Sequence, residues 1–249
     1  MEIKRLIPNL FTMLNLFCGC VAIVFASKYQ LDYAFYFVCL GIFFDFFDGF
    51  FARKFGVAGP LGVQLDSLAD MVTSGVVPGY TIYLMINNIE FFTAIKHLSM
   101  VSPNGVYYIS FLGFIITLGA CYRLAKFNID TRQLDSFVGL PTPANTLFIM
   151  SLPVIAKTTN SLFLIDSLGN KWVLIGIALL SAYVMNAEIL LFSLKIKNFS
   201  FAKYKLQIFF LVVSVLMLIF LQILAVPLII ILYVLLSVIN NMVTKKASV

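Results

Sequence analysis

Four aspartates carry most of the chemistry that this chain can offer. Asp45 and Asp48 lie three residues apart, and Asp66 and Asp70 lie four apart. Both spacings put a pair on one face of a helix. The 249-residue chain has only 11 acidic residues, and these four fall within or at the ends of two neighbouring apolar runs. An ionised Asp at the centre of a membrane span costs about 2.5–3.5 kcal/mol or more. Two like-charged pairs on adjacent helices also repel each other unless cations stand between them. With oxygen donors alone and no Cys or His among them, the pattern asks for a hard divalent ion, Mg2+ or Mn2+, rather than zinc. A purely structural ion-pair network is the competing explanation, but only Arg53 and Lys54 are near in sequence to balance four acids.

Small residues accompany the acids. Gly49 and Ala52 share the helical face of Asp45 and Asp48, so nothing bulky covers it. A glycine inside a helix costs about 1 kcal/mol relative to alanine, which fits close approach of a ligand to the backbone. Arg53 ends the same run and offers a fork of donors suited to phosphate. Carboxylates, a metal and an arginine together suit a substrate that carries a pyrophosphate.

The elements that position these residues are membrane spans. Hydrophobic residues make up 61% of the chain and charged ones 11%, and the mean hydropathy is +1.02, far from a soluble domain. The reading is all-α: one integral membrane domain over 1–249, with spans near 7–27, 33–53, 66–88, 105–124, 143–161, 171–194, 206–224 and 227–243. Pro227 marks the expected break between the last two. With both ends on the cytoplasmic side, thirteen of the 17 Lys and Arg residues fall there, as the positive-inside rule requires. The first run carries Lys4 and Arg5 ahead of it and Asn9, Thr12 and Asn15 within it, and is expected to be a retained span rather than a signal peptide. The net charge of +6 sits at span ends, so no nucleic-acid partner is expected. Cys18, Cys20, Cys39 and Cys121 read as buried, inert thiols, and the one histidine, His97, as a loop residue. Glu188 falls inside the sixth predicted span without an evident partner.

Read in order, residues 45–70 are D-F-F-D-G-F-F-A-R, eight residues, then G-V-Q-L-D-S-L-A-D. This run resembles, without a gap, the signature of the CDP-alcohol phosphotransferase family, D-x-x-D-G-x-x-A-R-x(8)-G-x-x-x-D-x-x-x-D. The resemblance implies a six-helix membrane core, here about 7–194, that usually dimerises, so the helices at about 206–243 are an addition. It implies transfer of a phosphatidyl or similar group from a CDP-linked donor to an alcohol, with release of CMP. Carried over by position, Asp45, Asp48 and Asp66 are metal ligands. Asp70 stands beside the metals, two in number in such enzymes, as an additional ligand and as the general base. Gly49, Ala52, Arg53 and Gly62 line the CDP site, with Asn9 and Thr12 reaching it from the first span.

A second similarity concerns the opening I-P-N-L-F-T-M-L-N-L-F-C-G, the later R-L-A-K-F-N, and F-V-G-L-P-T-P-A. These segments look like the bacterial-type phosphatidylserine synthase branch of the family, which implies CDP-diacylglycerol as donor, L-serine as acceptor and the cytoplasmic membrane as location. Lys126 stands where that branch leads one to expect a second arginine. Arg123, Lys126 and Arg132 then become candidates for holding the serine carboxylate or the lipid phosphate, although positive-inside placement explains them as well. Two other readings stay open at this stage: a different acceptor such as glycerol 3-phosphate or an inositol phosphate, and a cation channel or transporter whose acids line an ion path.

Overall fold

The computed structural model describes residues 2–87, 108–130, 137–192 and 205–247. His97 and Arg132 lie outside them. Within them the chain is helical apart from one two-residue strand pair. Helix α1 (Glu2–Ser27) turns tightly into α2 (Leu31–Phe55). Next, α3 (Pro60–Asp70) runs through a wide π turn at Met71–Val76 into α4 (Val77–Asn87). A 3-10 segment at Tyr108–Phe114 leads into α5 (Ile115–Ile129). After β1 (Phe137–Val138) come α6 (Thr142–Thr158), α7 (Leu162–Leu168) and α8 (Lys171–Asn186). Finally β2 (Leu190–Leu191) precedes α9 (Lys205–Leu221) and α10 (Ala225–Ala247).

Four stretches are long and apolar enough to cross a membrane: Leu6–Ser27, Leu31–Phe55, Tyr108–Ile129 and Lys205–Val243. The pair α7 and α8, bent by 72°, adds a fifth. Many large apolar side chains face outward, among them Phe17, Phe46, Leu118 and Phe220. On an integral membrane protein such faces meet lipid tails, and the inward faces gain from close packing. Ala22 and Ala26 of α1 lie fully buried against Ala34 and Val38 of α2, because small side chains let the two backbones approach. A second cluster joins α4, α5, α6 and α8 through Ile82, Met85, Ile116, Ile149, Leu174 and Met185.

Several predicted boundaries move, each for a local reason. The third helix starts at Pro60 rather than near 66, since Gly59 is extended and Pro60 takes the first helical position, where no N–H is needed. The sixth predicted span ends at Asn186 rather than 194. There the chain becomes extended: Gly139 N donates to Ile189 O at 2.8 Å, and β1 pairs antiparallel with β2, Phe137 opposite Leu191. Glu188 therefore lies beyond the helix, and its carboxylate is 3.9 Å from Lys126 Nζ. The last break comes at Gln222–Leu224, with Gln222 at φ 50°, and Pro227 sits inside the first turn of α10. The break reverses the chain, because the Phe210 and Tyr233 rings stand 5.4 Å apart. Of the cysteines, Cys18 is buried and Cys39 partly so, whereas Cys20 and Cys121 lie on outward faces of apolar helices.

The start of α1, the α2–α3 turn, the end of α5 and the end of α10 share one end of the bundle. Asn128 of α5 reaches Ser67 of α3 there, and Asn241 of α10 reaches Leu190 O. The opposite end is tied by the Lys157–Asp32 ion pair between α6 and α2.

One contact makes a direct test of this packing. A Cβ on Gly113 would lie 2.5 Å from Tyr83 N and 3.0 Å from Gly79 O, both backbone atoms of α4. Gly113→Val is expected to cost about 1–3 kcal/mol, seen as a lower melting temperature in detergent, whereas Leu118→Val on an outward face leaves it nearly unchanged.

Candidate functional site

The site forms where α2 ends and α3 begins. Gly56 closes α2 at φ 64°, in the left-handed region glycine adopts freely, and its N–H bonds back to the last turn. Four residues later Pro60 opens α3. At 1.5 Å rise per residue, Asp48 and Asp66 each lie about 10 Å in from this turn, and Asp45 and Asp70 about 15 Å. The eight-residue interval between Arg53 and Gly62 thus levels the two acid pairs across a hairpin.

The backbones of α2 and α3 stand apart, with α1 packed along both. From α1, Thr12 and Asn15 each hold one acid. Thr12 Oγ1 donates to Asp48 Oδ2 at 2.6 Å, and Asn15 Nδ2 donates to Asp70 Oδ1 at 3.1 Å. One carboxylate oxygen each from Asp45, Asp48 and Asp66 lie within 4.8 Å of one another. Among the described residues no Lys or Arg forms an ion pair with these three. Three hard oxygen donors converging in a membrane helix bundle, without a protein counter-ion, fit a divalent cation of the Mg2+ or Mn2+ kind. Asp70 is buried and stands outside that triad.

Beside the triad opens a cavity of about 360 Å³. Asn9, Thr12, Gly49, Ala52, Arg53 and Gly62, the residues singled out above for a CDP-linked ligand, all line it, together with Asp48 and Asp66. A Cβ on Gly62 would meet only Asn9 Oδ1, at 3.9 Å, and one on Gly49 would press on the Arg53 guanidinium at 3.3 Å. Both glycines therefore leave room that a side chain would fill. No phenylalanine lines the cavity. Instead Phe11 stacks with Phe47 and Phe51, with ring centroids 6.0 and 5.3 Å apart. The Phe-rich run is packing.

Arg123 and Lys126 are not brought to this cavity. They line a separate recess of about 10 Å³ with Val138, Met185 and Asn186. The Arg123 side chain is buried, and its Nη1 donates to Val138 O at 2.7 Å and Met185 O at 2.9 Å. That is the work of a tether between α5 and the end of α8, so the expectation that Arg123 holds a substrate anion gives way to a structural one. Lys126 keeps its 3.9 Å approach to Glu188.

Two residues matter more here than the sequence suggested. Asn15, noted above only as a polar residue of the first span, reaches Asp70. Asn128, in the R-L-A-K-F-N segment, donates to Ser67 Oγ at 2.9 Å, on α3 between Asp66 and Asp70. The three-residue periodicity of Asn9, Thr12 and Asn15 put all three on one face of α1, and that was the available signal for Asn15. Nothing in the sequence paired Asn128 with Ser67.

Comparison with known proteins points to one family. The family model for CDP-alcohol phosphatidyltransferase matches residues 5–184. The chain is 32% identical over 175 residues to the CDP-diacylglycerol-serine O-phosphatidyltransferase of Bacillus subtilis, covering 68% of this chain and 86% of that protein. It is 34% identical over 175 residues to the protein of the same name from Methanocaldococcus jannaschii, covering 70% and 71%. A Helicobacter pylori protein of that name is 29% identical over 219 residues, covering 87% and 82%.

The triad predicts opposite effects of one substitution with and without metal. Asp66→Asn removes one of three crowded charges, so the metal-free protein is expected to melt no lower than wild type. Mn2+ at a hundred times its dissociation constant stabilises a single site by about 2.7 kcal/mol, about 5–10 °C for a domain of this size. That shift is expected in the wild type and should be largely absent in Asp66→Asn, as read by thermal unfolding in detergent.

Proposed function

The chain belongs to the CDP-alcohol phosphatidyltransferase family, and we propose that it transfers the phosphatidyl group of CDP-diacylglycerol to the hydroxyl of L-serine, giving phosphatidylserine and CMP. The observation that carries the reading is convergence: Asp48, Gly49, Ala52, Arg53, Gly62 and Asp66 of the 45–70 motif line one cavity, and Asp45 joins Asp48 and Asp66 in the carboxylate triad beside it. The relatives' names support serine as acceptor.

In this reading Asp45, Asp48 and Asp66 hold the metal, with Asp70 at its edge. These carboxylates would hold one or two divalent ions, which when bound would supply positive charge to the pyrophosphate. Arg53 forks onto a donor phosphate, while Gly49, Ala52 and Gly62 let the nucleotide lie against the helices and Asn9 and Thr12 close the third side. Asp70 takes the proton of the serine hydroxyl as its oxygen forms a bond to the phosphorus that bears the diacylglycerol. The bond from that phosphorus to the bridging oxygen breaks, and CMP departs with the electron pair. The lipid tails need never leave the bilayer.

Lys126 is our candidate for the serine carboxylate. It lies two residues from Asn128, which reaches Ser67 beside the acids, and its approach to Glu188 is long, at 3.9 Å. Arg132, six residues further along the sequence, is the second candidate. The rest of the reading is eight spans, six in the core and two in the C-terminal hairpin, in a homodimer of the cytoplasmic membrane. Both termini and the site face the cytoplasm, which the shared placement of Lys4, Arg53, Lys54, Lys126 and Lys205 at one end supports.

The test is CMP release by purified protein given CDP-diacylglycerol, Mn2+ or Mg2+ and one alcohol at a time. Serine-dependent release that falls at least about a hundredfold in Asp70→Asn is expected. Release with glycerol 3-phosphate or an inositol phosphate but not serine would overturn the acceptor. Gly62→Leu, which fills the cavity, is expected to raise the KM for CDP-diacylglycerol with little change in melting temperature.

A further inference from the structure

We infer that Asn15 is a positioning residue that fixes Asp70 for proton transfer, an assignment that rests on the reading of Asp70 as the base. The fully buried Asn15 makes one bond to Asp70 and a second to the turn that follows it. Its side-chain Nδ2 donates to Asp70 Oδ1 at 3.1 Å. Its backbone oxygen accepts from Thr73 Oγ1 at 3.0 Å, and Thr73 lies in the π turn that begins directly after Asp70. One residue of α1 thereby orients the carboxylate and anchors the backbone that carries it.

The surroundings leave Asn15 little freedom. A Cβ on Gly19, one turn along α1, would lie 2.5 Å from Thr73 Oγ1 and 3.1 Å from Thr73 Cα, so α1 and the π turn touch almost backbone to backbone. From α2, a Cβ on Gly41 would lie 3.0 Å from Asn15 Oδ1 and 2.9 Å from Thr73 Cγ2. Only glycine at both positions allows this approach, and with α2 pressed against Oδ1 the amide is held with Nδ2 toward Asp70. The choice of an amide also has a chemical consequence. A lysine or arginine here would give Asp70 a permanent counter-ion and compete for its proton-accepting oxygen. A neutral amide occupies Oδ1 without adding charge. Thr12, three residues earlier on the same face, does the equivalent for Asp48, so α1 sets one acid of each pair. π turns inside otherwise regular helices often occur at functional sites, and this one begins at the residue after the base.

The experiment compares Asn15→Leu, Asn15→Ser, Asp70→Asn and the double variant Asn15→Ser/Asp70→Asn. Readouts are kcat and KM for CMP release, together with the Mn2+-induced shift in melting temperature. Loss of an outer-shell hydrogen bond of this kind is expected to lower kcat by about 10–100-fold. The KM for CDP-diacylglycerol should stay within about twofold and the Mn2+ shift should be retained. Asn15→Ser removes the amide without adding bulk and is expected to behave as Asn15→Leu does, which separates positioning from a packing failure. In the double variant the Asn15 change should add almost nothing, since both act through one carboxylate. Wild-type kcat in Asn15→Ser alongside an inactive Asp70→Asn would overturn the Asn15 assignment alone. So would a loss confined to the Mn2+ shift and melting temperature. An active Asp70→Asn would overturn the reading of the base itself, and the positioning inference with it.

Discussion

The crowding of carboxylates at membrane depth is the constraint on which the rest of the structure depends. Asp45, Asp48 and Asp66 bring oxygens within 4.8 Å of each other on helices that lipid surrounds. Such a cluster persists only if something neutralises it. The protein supplies hydrogen-bond donors from α1 and one arginine at the edge, and leaves the remaining charge for a cation. The short α2–α3 turn follows from the need to level two acid pairs. In the proposed reading, the gap between the α2 and α3 backbones seats an ion and a pyrophosphate, and the small residues at 49, 52 and 62 let that ligand lie against the helices.

Much of this was legible before any coordinates. An acid inside an apolar run is costly, so its presence is informative, and the spacings of three and four assigned the pairs to helix faces. The family resemblance grouped Gly49, Ala52, Arg53 and Gly62 around one ligand, and the α2–α3 hairpin brings the four to one cavity. The helical class followed from run length. What the sequence hid was tertiary. That Asn15 reaches Asp70 rather than another helix depends on how α1 crosses α2 and α3, and periodicity gives only its face. Arg123 looked like an anion-binding group because it lies in the R-L-A-K-F-N segment and belongs to a basic cluster with Lys126 and Arg132. Its true partners are two carbonyls from segments 15 and 62 residues away. The end of α8 was missed because an apolar run continues past Asn186 while the backbone leaves the helix to pair with β1.

The C-terminal hairpin lies beyond the region that the family model matches. It is nonetheless integrated with the core: Tyr233 OH donates to Phe192 O at 2.9 Å, and Phe192, Phe210 and Tyr233 pack ring against ring. Asn241 adds a bond to Leu190 O at 2.7 Å. The hairpin therefore bears on β2, through it on β1, and so on the segment that Arg123 tethers. The outward faces of α9 are almost wholly apolar, as expected where a helix meets lipid on most of its circumference.

The central claim is that these carboxylates form a metal centre that meets the donor's pyrophosphate. Electron-nuclear double resonance on the Mn2+-loaded protein with CDP-diacylglycerol tests it most directly. The prediction is a protein-bound Mn2+ signal with coupling to 31P on addition of the lipid, both lost in Asp48→Asn. Bound Mn2+ that shows no phosphorus coupling, or a signal unaffected by Asp48→Asn, would contradict it.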